Sequence, residues 1–197
     1  PWAAARSPVL LQFAGRPSPP PSPTPCVLLA WLARPLPYRL QLLDRPRPAV
    51  RPQRAHTSIG VATHNALRDF WDLPPAERTP VEVERLVRKS WIDVGFRDPD
   101  QSAEWLVRTL ERVTEYLRGI DRDRQPLGVE RTVSLRTETL AVTGRVDRLD
   151  DRDGELVVVD SKTGRARLTD DDARTSLPLA LYAVAAAGMF RRPCVRV

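Results

Sequence analysis

Two aspartates and a lysine in the second half of the chain have the types and spacing to do chemistry together. Asp160 and Lys162 follow an apolar run in the stretch VVVDSKTGR, and Asp147 lies upstream in TGRVDRLD. Side chains on a strand repeat every two residues, so Asp160 and Lys162 share one face. If the two runs pair as a hairpin, Asp147 and Asp160 converge at one edge of a sheet.

Two neighbouring carboxylates repel each other unless a cation lies between them. A hard divalent ion such as Mg²⁺ or Mn²⁺ suits oxygen ligands. An ammonium group beside such an ion can polarise a water molecule or stabilise negative charge that develops on a phosphate. Lysine is scarce here: of 31 Lys and Arg residues, only Lys89 and Lys162 are lysines. The question is whether Asp160 and Lys162 take part in chemistry together or are only the residues at the end of a strand.

Each of these residues also has a plainer interpretation. A lone Asp-x-Lys is a weak motif, and most examples are solvated pairs at exposed strand ends. Asp147 and Asp150 can equally be turn residues near the DRDG stretch. The acidic run 170–172 fits a helix N-terminus better than a metal site. Trp71, Trp91 and Trp105 have helical spacing that favours core packing over stacking on bases.

Three helices are predicted before the region of the candidate site. The first covers about 57–73 and ends at Pro74 and Pro75. The second starts with Thr79 as N-cap and Glu82 completing a capping box, and Gly95 stops it. A third, over 102–119, places apolar side chains on its inner face.

Strands follow these helices. Residues 129–135 alternate in polarity, 140–150 form a second run, and 155–160 form a continuous apolar run after the turn signal DRDG. An amphipathic helix is predicted from about 171 to 188, and the residues CVRV then begin another strand. This order of elements predicts an α/β domain with a mixed sheet.

The first 56 residues differ in composition from the rest. They hold thirteen of the 20 prolines, and eight arginines against one acidic residue, whereas the remaining chain is almost neutral. We therefore expect 1–56 to be largely irregular, with poor order up to about residue 30. A basic segment can favour nucleic acid, or it can reflect arginine-rich composition alone. The missing initiator methionine and the final CVRV suggest a fragment of a longer chain.

Two cysteines, Cys26 and Cys194, provide no disulfide framework or metal-binding framework. No run of about 20 apolar residues is present, so no membrane span is predicted. These features favour a cytoplasmic protein.

The ordered motifs GRVDRLD, GELVVVDSKTG and LPLALYAVAA resemble the PD-(D/E)xK nuclease superfamily, specifically the RecB-type exonuclease domain. An upstream helix in that family carries Gly-x-x-x-His, which Gly60 and His64 match here. The resemblance covers about 57–197. It implies a restriction-endonuclease-like core, in which a mixed sheet is flanked by helices and preceded by a helical segment.

The resemblance also implies roles for individual residues. Asp147, Asp160, His64 and the backbone carbonyl of Ser161 resemble metal ligands for Mg²⁺ or Mn²⁺. Lys162 resembles the catalytic lysine. Taken alone, His64 is better read as an ordinary helix residue.

Two further residues resemble supporting positions of the family. Tyr182 matches the tyrosine of the helix motif, which contacts DNA or supports the site, although an apolar helix face usually makes such a residue core. Glu130 lies near an acid often found on the first strand. Pro178 stands where the family usually has glutamine. Arg34 stands where relatives with an iron–sulfur cluster have a cysteine, so we expect no such cluster.

The implied function is a metal-dependent DNA exonuclease or nuclease acting in DNA repair or recombination, with DNA and a helicase as expected partners and no membrane. Pro178 motivates an alternative, a catalytically impaired DNA-binding or helicase-partner module of the same fold. A third hypothesis is that this stretch of sequence does not form a competent domain by itself.

Overall fold

The structure is a computed structural model that describes residues 24–44, 52–138, 141–164 and 168–197. Helices dominate the part before the sheet: α1 Pro25–Ala33, α2 Pro35–Tyr38, a π-helical stretch Arg39–Asp44, α3 Ala55–Trp71, a 3₁₀ turn Pro75–Glu77, α4 Pro80–Ser90 and α5 Pro99–Arg118. The sheet and its helices follow: β1 Gly128–Arg136, β2 Ala141–Arg152, β3 Glu155–Val159, α6 Asp170–Arg174, α7 Leu177–Phe190 and β4 Cys194–Arg196.

The sheet has the strand order β1-β2-β3-β4. The first two pairings are antiparallel and β3 pairs with β4 in parallel. A two-residue turn joins β2 to β3, and its residues Asp153 and Gly154 have φ values of 57° and 95°. This is the left-handed backbone that Asp-Gly hairpin turns adopt. The predicted mixed sheet with flanking helices and a preceding helical segment is confirmed.

Two apolar clusters hold the layers together. One contains buried residues of the sheet and of α7: Val133, Val146, Leu149, Leu156, Val158, Ala185 and Ala186. The other joins α3, α4 and α5 through Ala66, Phe70, Trp71, Val83, Leu86, Val87, Val113 and Leu117, with Val129 of β1 packed against it. Burying each leucine or valine contributes about 1.5–3 kcal/mol. The sheet therefore has α7 on one face and α3 near the other.

Helix α4 begins as predicted but ends earlier. The Thr79 side chain accepts a hydrogen bond from the Glu82 N–H at 3.3 Å. The capping box is incomplete, because the Glu82 carboxylate accepts from Arg85 and the Thr79 N–H donates to the Glu77 carbonyl at 2.8 Å. The helix ends at Ser90, not at Gly95, because Trp91 is extended and its ring N–H donates to Ser102 at 3.0 Å.

Gly95 has a different role. Its φ is +91°, and a Cβ there would lie 2.5 Å from the Gln53 carbonyl oxygen. Its own carbonyl accepts from the Ala55 N–H at 3.2 Å. Gly95 therefore lets the chain pass close to the start of α3.

The single helix predicted from 171 to 188 is wrong. The structure has α6 and α7 there, separated at Thr175 and Ser176. Ser176 caps α7 by accepting from the Leu179 N–H at 3.5 Å, and Pro178 lies in the first turn. Proline, which has no backbone N–H, is tolerated there because an N–H in the first turn would have no partner within the helix. Ser176 and Pro178 thus begin a new helix.

Most of 25–44 is helical, although the sequence predicts largely irregular structure across 1–56. Pro25 reaches the sheet, where its Cδ would lie 3.1 Å from a Cβ at Gly144, and Tyr38 is fully buried. Tertiary contacts thus stabilise helices that the composition disfavours. Residues 1–23 and 45–51 lie outside the described residues. Within the described part of the chain, no helix combines the length and apolar character needed to cross a bilayer.

Candidate metal centre

Three acidic residues lie at the same level across the sheet. The register pairs Val129 with Arg148 and Arg131 with Val146, so Glu130 is level with Asp147. On the other side, Arg148 pairs with Val159, which brings Asp160 level with Asp147. The predicted hairpin therefore aligns both aspartates, and β1 adds a third carboxylate to the row.

Strict alternation of side chains fails in β2 at this level. Val146 and Leu149 both pack in the cluster with α7, although they are three residues apart. Between them, Asp147 approaches His64 and the Arg148 guanidinium lies 4.5 Å from the Trp71 ring centroid. Two successive side chains of β2 thus reach α3.

His64 lies on α3 with its Nδ1 3.4 Å from Asp147 Oδ1. The hydrogen bond with Asp147 raises the pKa of His64; burial opposes the rise, and the charges of Asp147, Glu130 and Asp160 support it. One turn earlier, a Cβ at Gly60 would lie 3.4 Å from Thr163 Oγ1. The segment after β3 therefore comes within contact distance of α3 at Gly60.

The Asp147 carboxylate is held on both sides. Its Oδ2 accepts a hydrogen bond of 2.5 Å from the Ser161 N–H. Burial tends to raise the pKa of Asp147, but the hydrogen bonds from His64 and Ser161 outweigh burial and lower it. Asp147 is therefore ionised at neutral pH and fixed in one orientation, as a metal ligand requires.

Glu130 completes a group of possible ligand atoms. In the described residues, one atom from each of His64, Glu130 and Asp147 lies within 4.8 Å of the others. Glu130 has φ +48°, a left-handed backbone rarely adopted by residues other than glycine. This conformation interrupts the regular strand beside Asp147. Strain of this kind clusters at functional sites.

The donor set fits a divalent ion. The two carboxylates match the preferences of Mg²⁺ and Mn²⁺, whereas an imidazole is a more usual ligand of zinc and iron. The adjoining cavity measures about 10 Å³ and is lined by residues that include His64, Glu130, Asp147 and Ser161. This volume is about that of one water-sized sphere, so the cavity has space for an ion or a water but not for a nucleotide.

Asp160 and Lys162 form an ion pair at this end of β3. Lys162 Nζ lies 2.5 Å from Asp160 Oδ2, and their side chains are 60% and 12% exposed. Asp160 is not one of the three residues whose possible ligand atoms lie within 4.8 Å of one another, although its charge helps to raise the pKa of His64. The assignments of metal ligands, and of Lys162 as a catalytic residue, stay predictions; the proposed ligands are His64, Asp147, Asp160 and the Ser161 carbonyl.

Tyr182 belongs to the opposite side of the sheet. It packs against the cluster between the sheet and α7. A Cβ at Gly144 would lie 2.3 Å from Tyr182 Cε1, so the glycine is needed for this packing. The predicted contact of Tyr182 with DNA stays a prediction, and its position favours support of β2.

A buried ionic cluster that the sequence does not predict lies beside the candidate centre. Arg148 places its Nε 2.9 Å and its Nη2 3.1 Å from the two oxygens of Asp150. Its Nη1 donates to the Tyr116 hydroxyl at 3.4 Å, and burial raises the pKa of Tyr116. The motif GRVDRLD contains Arg148 and Asp150, but no sequence pattern shows that they pair.

A second cleft adjoins the first and shares Trp71 and Arg148 with it. It measures about 250 Å³, and its lining includes Arg124, Arg152 and Asp121. The candidate centre therefore has a larger cleft beside it, with three arginines among the residues that line that cleft.

The comparison with known families decides the assignment. The sequence model of the PD-(D/E)XK nuclease superfamily matches residues 29–195. The chain belongs to this superfamily. No curated protein matches the chain. The match begins well before residue 57, so it includes helices of the segment that composition separates from the rest. The four-stranded mixed sheet of this PD-(D/E)XK protein and its flanking helices agree with the restriction-endonuclease-like fold.

Proposed function

We propose that this protein is a metal-dependent nuclease that hydrolyses phosphodiester bonds of DNA as an exonuclease, in DNA repair or recombination. The observation that carries the proposal is the approach of His64, Glu130 and Asp147 within 4.8 Å, in a chain of a nuclease superfamily. The resemblance of its motifs to the RecB-type domain supports the exonuclease activity, the repair role and a helicase partner.

His64, Glu130 and Asp147 would hold the ion, with Asp160 at the next strand as a further ligand. A bound Mg²⁺ or Mn²⁺ supplies a Lewis acid for the phosphate and lowers the pKa of water. The Ser161 N–H fixes the Asp147 carboxylate at 2.5 Å, so this ligand is oriented before an ion arrives. The neutral form of His64 is required for ligation.

Lys162 is suited to act on the phosphate or on the attacking water. Its side chain is 60% exposed and its ammonium lies beside Asp160. The exposure of Lys162 supports this role, because a substrate phosphate can reach the ammonium. An ammonium that contacts charge developing in the transition state accelerates the reaction, whereas one that contacts only the ground state does not.

The test is cleavage of end-labelled single- and double-stranded DNA with Mg²⁺, Mn²⁺ or EDTA. Lys162→Gln should lower the rate by about 10²–10³-fold, the usual cost of removing one charge-stabilising donor. Lys89→Gln is the matched control, because Lys89 is also about 60% exposed and lies 3.4 Å from an aspartate, Asp69. Full cleavage by Lys162→Gln, or cleavage that EDTA does not stop, would overturn the assignment.

Pro178 supports a second candidate function, a DNA-binding or helicase-partner module without turnover. Proline lacks the polar side chain of the family's usual glutamine, and Pro178 lies in the first turn of α7. DNA binding with no metal-stimulated cleavage would favour this candidate. Release of single nucleotides from DNA ends in Mn²⁺ would reject it and support the exonuclease.

A further inference from the structure

The Glu130 carboxylate has a cationic partner outside the predicted site. Arg145 Nε lies 2.8 Å from Glu130 Oε2. Arg145 precedes Asp147 by two residues on β2, at a position that the register pairs with Thr132, and regular alternation places it on the same face as Asp147. A guanidinium group is therefore bound directly to one of the three candidate ligands.

This ion pair is easily exchanged. The Arg145 side chain is 67% exposed, whereas that of Glu130 is 23% exposed. Exposed ion pairs contribute little net stability because water solvates both charges. A phosphate offers the guanidinium two oxygens in the planar geometry that it binds best. A metal ion on Glu130 would further weaken the pair, because the carboxylate then shares its charge with the ion.

We propose that Arg145 is a substrate-binding residue that moves from Glu130 to a phosphate oxygen of the nucleic acid once Glu130 holds the metal ion. The inference rests on the proposed function. Before the ion binds, Arg145 keeps the carboxylate at the centre and offsets its repulsion with Asp147. Afterwards, the same guanidinium is available to the substrate. Metal ion and nucleic acid then raise each other's affinity, as linkage requires.

Other arginines near the centre have contacts that suit this exchange less well. Arg148 is buried and binds both oxygens of Asp150. Arg131 lies over the Phe190 ring of α7, at 5.8 Å from its centroid. Arg68 lies 2.7 Å from its neighbour Asp69. Arg145 combines high exposure with direct contact to a candidate ligand.

The test measures DNA binding by fluorescence anisotropy in a Lys162→Gln background, which slows cleavage during the measurement. Adding Arg145→Gln should weaken binding of a labelled oligonucleotide about tenfold in Mn²⁺ and less than about twofold in EDTA, the loss expected for one charged hydrogen bond. The dependence of log K on log salt should become shallower by about 0.7–0.9 in Mn²⁺, as for one lost phosphate contact.

Arg136→Gln in the same background is the matched control. Arg136 is an exposed arginine at the far end of β1. It lies six positions along the strand from Glu130, which is about 20 Å. Its replacement should weaken binding equally in Mn²⁺ and in EDTA. Arg145→Lys keeps the charge without the planar fork and should recover part of the lost affinity.

Mn²⁺ binding without DNA, followed by electron paramagnetic resonance, separates substrate binding from structural support. Arg145→Gln should bind Mn²⁺ at least as tightly as the parent protein, because a competing cation has gone. Weaker Mn²⁺ binding, or an equal loss of DNA affinity with and without metal, would overturn the inference. If the parent protein neither binds Mn²⁺ nor cleaves DNA, the proposed function itself fails. If it does both and Arg145→Gln has no metal-dependent effect, only this inference fails.

Discussion

Asp147 and Asp150 lie three residues apart on β2, and their carboxylates have different partners. Asp150 faces a guanidinium that contacts both its oxygens, and the two side chains are 10% and 6% exposed. Asp147 is 20% exposed, and the contacts that the structure shows for it are the His64 ring and the Ser161 N–H. One carboxylate is neutralised by a permanent cation. The Asp147 carboxylate is instead oriented by an imidazole and a backbone N–H, and neither of these groups is a permanent cation.

The surroundings of the two aspartates explain this difference. Arg148 also lies over the Trp71 ring and contacts Tyr116, so the pair with Asp150 is enclosed by aromatic groups. A buried ion pair needs close pairing of this kind, because each unpaired buried ion is costly. Asp147 has Glu130 within 4.8 Å instead, and two nearby carboxylates attract a cation. We infer that Asp150 stabilises the fold and that Asp147 acts as a metal ligand.

The largest expected effect comes from Asp147→Asn. The amide keeps the size of the side chain and an oxygen that accepts from Ser161, but it removes the ligand charge. We expect cleavage to fall by at least about 10³-fold, equivalent to about 4 kcal/mol in activation free energy. Mn²⁺ should raise the melting temperature of the parent protein, because a ligand at 100 times its Kd stabilises by about 2.7 kcal/mol. The variant should lose this rise, and its metal-free melting temperature should fall modestly because the ion pair with His64 is lost.

The reciprocal change, Asp150→Ala, should act on stability. Removing one partner of a buried ion pair costs about 3–5 kcal/mol. For a domain of this size, each kcal/mol lowers the melting temperature by about 2–4 °C. Mn²⁺ affinity, measured well below the melting temperature, should change little.

Asp153→Asn serves as the control for this second prediction. Asp153 is 93% exposed, and its contact with Arg124 is 3.5 Å long. Its replacement should change the free energy of unfolding by less than about 0.5 kcal/mol. If Asp150→Ala instead removed metal binding from a stable protein, the distinction between a structural and a chemical aspartate would be lost.

The smallest expected effect is a pH dependence from His64. Its pKa is raised in the folded metal-free protein, first by the hydrogen bond with Asp147 and also by the charges of Glu130 and Asp160. The stabilisation is therefore complete below the ordinary value of 6.5 and is lost as pH rises through the folded pKa. Urea unfolding between about pH 5.5 and 8.5 should show the parent protein losing stability relative to His64→Gln.

Metal affinity should depend on pH in the opposite direction. Ligation needs neutral His64, so Mn²⁺ must displace a proton below the raised pKa. The Kd for Mn²⁺ should therefore increase as pH falls through that value. The pKa of Asp147 is lowered, so this carboxylate is protonated, and lost as a ligand for Mn²⁺, only at pH below the ordinary value of 3.8. A Kd for Mn²⁺ that is constant across pH 5.5–8.5 would remove His64 from the ligand set.

The sequence alone predicts much of the frame of this site. Period-two polarity and the Asp-Gly turn predict the β2–β3 hairpin, and the hairpin register brings Asp147 and Asp160 level. These are local signals, because pairing in a short hairpin follows from the turn and the alternation. The motif order also predicts the superfamily that the family comparison confirms.

Tertiary structure alone decides how the charges are arranged. Glu130 joins His64 and Asp147 through a left-handed backbone that no local propensity predicts. Arg148 turns toward Trp71 because alternation fails at the level of the site, and Arg145 remains outside with Glu130. The helices of 25–44 form where proline content predicts irregular structure, since packing against the sheet and α7 offsets their poor propensity. Sequence determines which charges are present, but their pairing depends on burial and distance between segments far apart in the chain.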